Sequence, residues 1–186
     1  MFHGVTLSGN GCSSQAPFNS HVTRSPDNRA VAERAVRIRV AVLIWRDAEV
    51  LLVRHQKGGH SYWLVPGGGV DAGETMVEAA ARELLEETGL GVEVGRLLLL
   101  CEAIDPRPGG RHILNAVFAG TVRSGTLAVG ADKALRDARW QPLDALADLE
   151  MFPPIGAELL AVCREEGAGP VRVLGNTWRA WAPDSQ

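Results

Sequence analysis

At 186 residues, with 46% hydrophobic and 22% charged side chains, the chain has the balance of one soluble globular domain with a short appendage, not of a disordered polymer. A domain of this size buries about two thirds of its unfolded surface, so it needs neither a disulfide nor a structural metal to fold. The formal net charge of −3 leaves no basic excess to neutralise phosphates in bulk, which argues against non-specific nucleic-acid binding.

Other global features narrow the class further. No apolar run approaches the roughly 20 residues that cross a bilayer, so no membrane partner is expected. Cys12, Cys101 and Cys163 are odd in number, widely spaced and without a CxxC pair. That usage fits reduced thiols and gives no zinc signature. The N-terminal MFHGVTLSGNGCSS lacks a basic start and a continuous apolar stretch, so it is not expected to act as a signal peptide, and the cytoplasm is the expected compartment.

Residues 1–35 are rich in Ser, Asn, Gly and Pro without lasting periodicity, and read as a flexible N-terminal tail. Residues 36–186 read as the folded domain. Val36, Ile38 and Val40 alternate with Arg37 and Arg39, the pattern of a half-buried strand that turns wholly apolar through Ile44. Arg46-Asp47-Ala48 is a polar break, and Glu49–Arg54 reads as the partner strand of a hairpin. KGGHS at 57–61 is read as a loop, and Tyr62–Val65 as an extended segment ended by Pro66 and three glycines.

Thr75–Thr88 gives the clearest helix. Thr75 and Glu78 have the spacing of a capping box, and Gly89 stands where a left-handed cap belongs. Strand-like runs follow at Val92–Ile104, His112–Val122 and Ala138–Gln141, with a loop at Pro106–Gly110. Pro154–Glu166 predicts a second helix and Val171–Trp181 a last strand. Strands in succession around two helices, without regular βαβ alternation, predict an α/β class of mixed (α+β) character, with a mixed sheet flanked by helices.

On a wheel of about 100° per residue, Val77, Ala80, Ala81, Leu84, Leu85 and Thr88 share one broad arc of the Thr75–Thr88 helix. Glu83, Glu86 and Glu87 gather on the opposite side, because positions three and four apart stack on a helix. Arg82 lies at the edge of that acidic face. Three carboxylates so placed repel one another unless a cation lies between them, and all-oxygen donors of this kind suit Mg²⁺ or Mn²⁺. An E-x-x-E-E run alone is more often a solvated surface. The preceding loop Pro66–Glu74 changes the balance: four glycines within seven residues let the backbone come close to another group. The helix that it feeds is acidic, so a phosphate there would be held through metal ions rather than by the helix dipole.

The combined pattern, Gly68-x5-Glu74-x7-Arg82-Glu83-Leu84-x-Glu86-Glu87-x-Gly89-Leu90, resembles the Nudix box at every defining position. Trp63-Leu64-Val65-Pro66-Gly67-Gly68 before it, and A-R-W-Q-P-L-D at 138–144, are also similar to this family of MutT-like hydrolases. The resemblance implies an α/β/α sandwich with a mixed central β-sheet. It implies metal-dependent hydrolysis of the pyrophosphate bond in a nucleoside diphosphate linked to another group. Glu83, Glu86 and Glu87 would ligate Mg²⁺ or Mn²⁺, with a carbonyl from Gly67–Gly69 (Gly68 above all) as a further ligand. Arg82 would orient an acidic neighbour, and Glu74 would pin the loop to the helix or bind metal indirectly.

Further residues take roles by the same resemblance. Arg54, closing L-L-V-R, would face substrate phosphate, or else be a surface arginine. Trp63 would stack on a base, against the commoner reading of core packing, and Gly68 and Gly69 would approach the substrate. Asp132 is the candidate general base, with Asp137 as the alternative. His55 and His60 read as polar loop residues. Pro106, sixteen residues beyond Leu90, is associated in the family with ADP-ribose hydrolysis, and Arg107 or Arg111 would meet phosphate or ribose oxygens. A small-molecule nucleotide is thus the expected partner. A nucleoside triphosphate pyrophosphohydrolase and a non-catalytic nucleotide-binding regulator are the alternatives. Trp178 and Trp181 read as packing or interface residues, which leaves a homodimer open.

Overall fold

A computed structural model describes residues 35–180; the tail expected at residues 1–35 lies outside the described residues except for Ala35, and so does Trp181. In chain order the elements are β1 (Arg37–Leu43), β2 (Trp45–Arg46), β3 (Glu49–Lys57), β4 (His60–Leu64), β5 (Gly67–Gly69), α1 (Met76–Thr88), β6 (Leu90–Ile104), β7 (His112–Gly125), β8 (Leu135–Pro142), a 3₁₀ turn (Leu143–Ala147), α2 (Gly156–Arg164) and β9 (Arg172–Asn176). Five strands form a mixed sheet in the order β5-β1-β7-β6-β9, in which β1–β7 and β6–β9 are parallel and the other pairs antiparallel. A second, antiparallel sheet is built on β3, which pairs with β2, β4 and β8.

The apolar run through residues 40–44 follows from the position of β1 inside this assembly. Val40, Val42 and Ile44 pack with Ala79, Ala80 and Leu84 of α1. Ala41 and Leu43 pack the other way, with Val50 and Leu52 of β3 and Leu159 and Val162 of α2. A strand buried on both faces cannot alternate with polar residues. The mixed sheet thus lies between α1 on one side and α2 with the β3 sheet on the other. Cys101 and Cys163 are free and buried, and burial pushes the Cys163 thiol up to about 12, which keeps it protonated and unreactive.

Several local expectations are corrected. At the start of β1 the expected alternation is absent: Val36 (50%) and Ile38 (41%) are exposed along with Arg37, and burial of the apolar positions begins only at Val40. Arg39 instead turns inward, where the carbonyls of Val65 and Gly67 need donors. The 57–61 loop contracts to a Gly58–Gly59 turn with both φ positive (58° and 86°), the geometry that lets two strands join by two residues. The glycine-rich run is not wholly loop, since Gly67–Gly69 pairs with Arg39–Ala41 as an edge strand. β7 runs on to Gly125, β8 begins at Leu135, α2 is shorter than Pro154–Glu166, and β9 ends at Asn176.

Candidate active site

The chain from Glu74 to Gly89 folds locally as its own sequence dictates. The Thr75 side chain accepts from the Glu78 N–H while Glu78 accepts from the Thr75 N–H, and Gly89 closes the helix at φ 70°. The helix is rotated from the position that its apolar arc predicts. Val77 (47%) and Leu85 (52%) are exposed, whereas Glu87 is only 7% exposed and lies with Ala79, Ala80, Leu84 and Thr88 on the inner face. The cause is polar. Glu87 Oε2 accepts the Gly67 N–H at 2.8 Å, and Oε1 lies 3.2 Å from His55 Nε2, so one buried carboxylate ties α1 to β5 and to β3.

Glu83 meets the same strand one residue on. A Cβ on Gly68 would stand 2.2 Å from the Glu83 carboxylate carbon, so only glycine lets this acid seat itself against the backbone. Arg82 organises the rest. Its Nε and Nη2 both donate to Glu74 at 2.9 Å, Nη2 also to the Gly69 carbonyl at 3.1 Å, and Nη1 to Glu83 at 2.9 Å. Glu86, one turn further, lies 3.6 Å from Arg82 and is largely exposed. Beneath them Arg39 donates to the Val65 and Gly67 carbonyls, both at 2.9 Å, and fixes the strand that Glu83 and Glu87 touch. Burial lowers the Arg39 guanidinium from its ordinary value, against the pull of Glu87 and Glu83.

These contacts divide the acids by electrostatics. Hydrogen bonds from Arg82, helped by the Asp71 N–H, hold Glu74 down to about 2. Glu83 is instead raised, first by burial, with Glu86 and Glu87 adding to it against Arg82. Glu74→Gln is therefore expected to cost stability in a pH-dependent way. A carboxyl lowered in the fold from 4.5 to about 2 stabilises fully above its unfolded value and loses that contribution as pH falls from 4.5 towards 2. Urea midpoints at pH 6 and pH 2.5 check this: the gap between wild type and variant should be fully open at pH 6 and much narrowed at pH 2.5.

The remaining sequence-predicted residues are dispersed. Arg54 and Trp63 are register partners, and by strand alternation Arg54 faces away from its neighbour His55. The Arg54 and Arg139 guanidiniums lie 5.7 and 5.4 Å from the Trp63 ring, and Arg54 Nε is buried without a hydrogen-bond partner. Asp137 is bound by Arg139. Asp132 accepts the Ala134 N–H at 2.7 Å and closes its own turn. That turn follows Gly130, whose N–H donates to the Glu87 carbonyl, so it stands at the C-terminal end of α1. Arg107 is bidentate to Asp105 and lies 5.8 Å from the Trp178 ring.

Arg107 also lines a cavity of about 580 Å³ between the β3–β4 hairpin, the 105–111 loop and the segment before Ala180, with Lys57, Tyr62, Arg111, Trp178 and Arg179. Tyr62 joins this cavity to the acidic helix, its ring centroid standing 6.2 Å from that of His55. Two residues of the site were missed by sequence reasoning. His55 lies within β3 rather than at a loop margin, and its position one residue after Arg54 places it on the face of Leu51 and Val53, turned towards α1. Arg39 has no comparable signal, because its partners come from a distant loop.

The donor set fits a hard divalent cation. Glu83, Glu86 and Glu87 are oxygen donors on one helix face, and Gly68 leaves the space that a Cβ would fill beside Glu83. Among the described residues no three acidic, histidine or cysteine side chains already converge as a cage, since Arg82, Gly67 and His55 hold the carboxylates apart. No helix among the described residues is long and apolar enough to cross a membrane.

Comparison with known proteins bears on these features. The sequence model of the NUDIX domain matches residues 35–163. The NAD-capped RNA hydrolases NudC of Escherichia coli and Shigella boydii are 31% identical over 134 residues, a match that takes in 68% of this chain and 49% of theirs. The chain thus spans about half the length of the curated relatives it matches. A NUDIX hydrolase from Nitrosomonas europaea superposes with a TM-score of 0.63 at 24% identity, over 71% of this chain and 90% of its own. An ADP-ribose pyrophosphatase from Streptococcus suis gives 0.58 at 22%, over 75% and 100%. At such identities these two show the fold alone. A MutT NUDIX hydrolase from Burkholderia pseudomallei gives 0.55 at 30%, over 60% and 86%.

Proposed function

This chain belongs to the Nudix family, and we propose that it is a pyrophosphohydrolase which cleaves the diphosphate of a nucleoside diphosphate linked to another group. One observation supports this above the rest: Glu83 and Glu87 of the acidic helix are seated on the backbone of Gly67 and Gly68. A solvated acidic face would have no reason to bury Glu87 or to require glycine opposite Glu83.

Hydrolases of this family use divalent cations. Glu83, Glu86 and Glu87 would hold Mg²⁺ or Mn²⁺ together with the Gly68 carbonyl, and the ion when bound supplies charge neutralisation on the diphosphate and an acidified water. The chain's own groups do the positioning. Arg82 locks Glu74 and the Gly69 carbonyl, which fixes the helix against the strand, and its bond to Glu83 sets the orientation of that acid. Asp132, at the C-terminal end of α1, is the candidate base. Arg54 and Trp63 on one side, and Arg107 in the cavity, would contact substrate.

Hydrolysis is expected to require added Mg²⁺ or Mn²⁺ and to stop with excess chelator. Full activity in EDTA would remove the cation from the site. ADP-ribose or a similar nucleoside diphosphate sugar is the expected substrate; this reading is supported by the Asp105–Gly110 loop, of which Asp105, Arg107, Gly109 and Gly110 line a cavity that a second ribose could fill. The test is kcat/KM for ADP-ribose against dGTP and dATP under one metal condition, in wild type and Arg107→Ala. A triphosphate preferred about tenfold or more, a difference of roughly 1.4 kcal/mol, would overturn the substrate class and leave the reaction class standing. Tight binding without turnover of any of the three would favour a nucleotide sensor.

A further inference from the structure

The cavity beside Tyr62 carries more positive charge than the substrate contact proposed for Arg107 would use. Lys57, Arg107, Arg111 and Arg179 line it, against the single acid Asp105. Asp105 is taken up by Arg107, and Arg179 reaches Glu150 at 3.5 Å. Among the described residues, no acidic side chain pairs with Lys57 or Arg111. Among the described residues two cations thus stand without a compensating acid in a concave site, where low-dielectric walls strengthen the field on a bound anion. No residue of α1 or β5 lines the cavity, so a diphosphate lying against Glu83 and Glu87 would not neutralise these charges. Trp178 and Tyr62 add aromatic walls suited to a planar base.

Building on the pyrophosphohydrolase reading, we propose that this cavity binds, in preference to the second ribose of ADP-ribose, a phosphorylated nucleoside end of the substrate: a base against the aromatic walls and, beyond the scissile diphosphate, a further phosphate met by Lys57 and Arg111. ADP-ribose carries its charge on the diphosphate alone and would leave both cations to water. A ribose phosphomonoester and the phosphodiester of an oligonucleotide end supply the same chemistry, and substrate choice tells them apart.

Initial rates would be compared for ADP-ribose, ADP-ribose 2′-phosphate, and a dinucleotide whose 5′ end carries an adenosine diphosphate cap. The expected result is a kcat/KM on the order of tenfold higher for at least one phosphorylated substrate, mainly through KM, with the ratio to ADP-ribose falling towards one in Lys57→Ala and Arg111→Ala. A gain with the monoester alone identifies a free nucleotide as the source, and a gain with the diester alone identifies an oligonucleotide end. Cleavage of ADP-ribose with no gain from either phosphate, or a gain that both variants retain, overturns the assignment. Cleavage of none of the three is a failure of the pyrophosphohydrolase reading, and calorimetry then decides the cavity by itself. Adenosine 2′,5′-bisphosphate should bind on the order of tenfold more tightly than AMP, with the advantage lost in Arg111→Ala; equal affinities overturn it.

Discussion

Glu87→Gln and Glu86→Gln are each expected to lower kcat by about a hundredfold or more, on the order of 3 kcal/mol of transition-state stabilisation, with far less effect on the fold. Glutamine keeps the shape of the side chain and an oxygen that accepts the Gly67 N–H, but removes the charge that a divalent cation requires. The two positions differ in a useful way. Glu87 is buried and bound to β5 and β3, whereas the Glu86 side chain is 61% exposed. A stability loss confined to Glu87→Gln with a rate loss in both would separate the structural share of Glu87 from the shared chemistry. Single-turnover rates under saturating Mg²⁺, together with thermal midpoints, make that separation. If both variants keep near-normal kcat, the acidic face serves the surface and not the reaction.

How far the sequence could be read depended on how local the determining interaction was. The helix was legible because its signals are its own: the Thr75–Glu78 box and the Gly89 cap act within four residues of the ends they define. The grouping of Glu83, Glu86 and Glu87 was legible for the same reason. Which edge of the helix docks was not, since the burial of Glu87 is decided by Gly67 and His55, groups that lie 20 and 32 residues away. Leu85 therefore ends up in solvent although the wheel gives it to the core. β5 escaped because three glycines carry no side-chain periodicity, and its pairing comes wholly from backbone contact with β1. Arg39 reads as an outward residue of an alternating strand until the Val65 and Gly67 carbonyls arrive beside it. The cavity is assembled from three separated loops, so only the Pro106 loop left a trace in the sequence.

Gly67→Ala and Gly68→Ala should fail in opposite ways, although the residues are adjacent. At Gly67 (φ 150°) an added Cβ would lie 2.1 Å from the Val40 carbonyl oxygen and 2.6 Å from the Ala41 Cα, all backbone of the neighbouring strand β1. Backbone cannot step aside, so strain and overpacking together should cost about 3 kcal/mol, a fall in Tm of roughly 6–12 °C for a domain of this size. At Gly68 the obstruction is the Glu83 carboxylate at 2.2 Å, the far end of a flexible side chain. The side chain can swing away, so Tm should move by less than about 3 °C. The displaced acid, however, leaves its place beside the strand and Arg82, and kcat should drop about a hundredfold, as when a box glutamate loses its charge. Thermal melts and kcat measured side by side on the two variants decide the matter. A Gly68→Ala protein that is stable and fully active would show that Glu83 has no need of its seat on this strand, and would detach it from the proposed cation site.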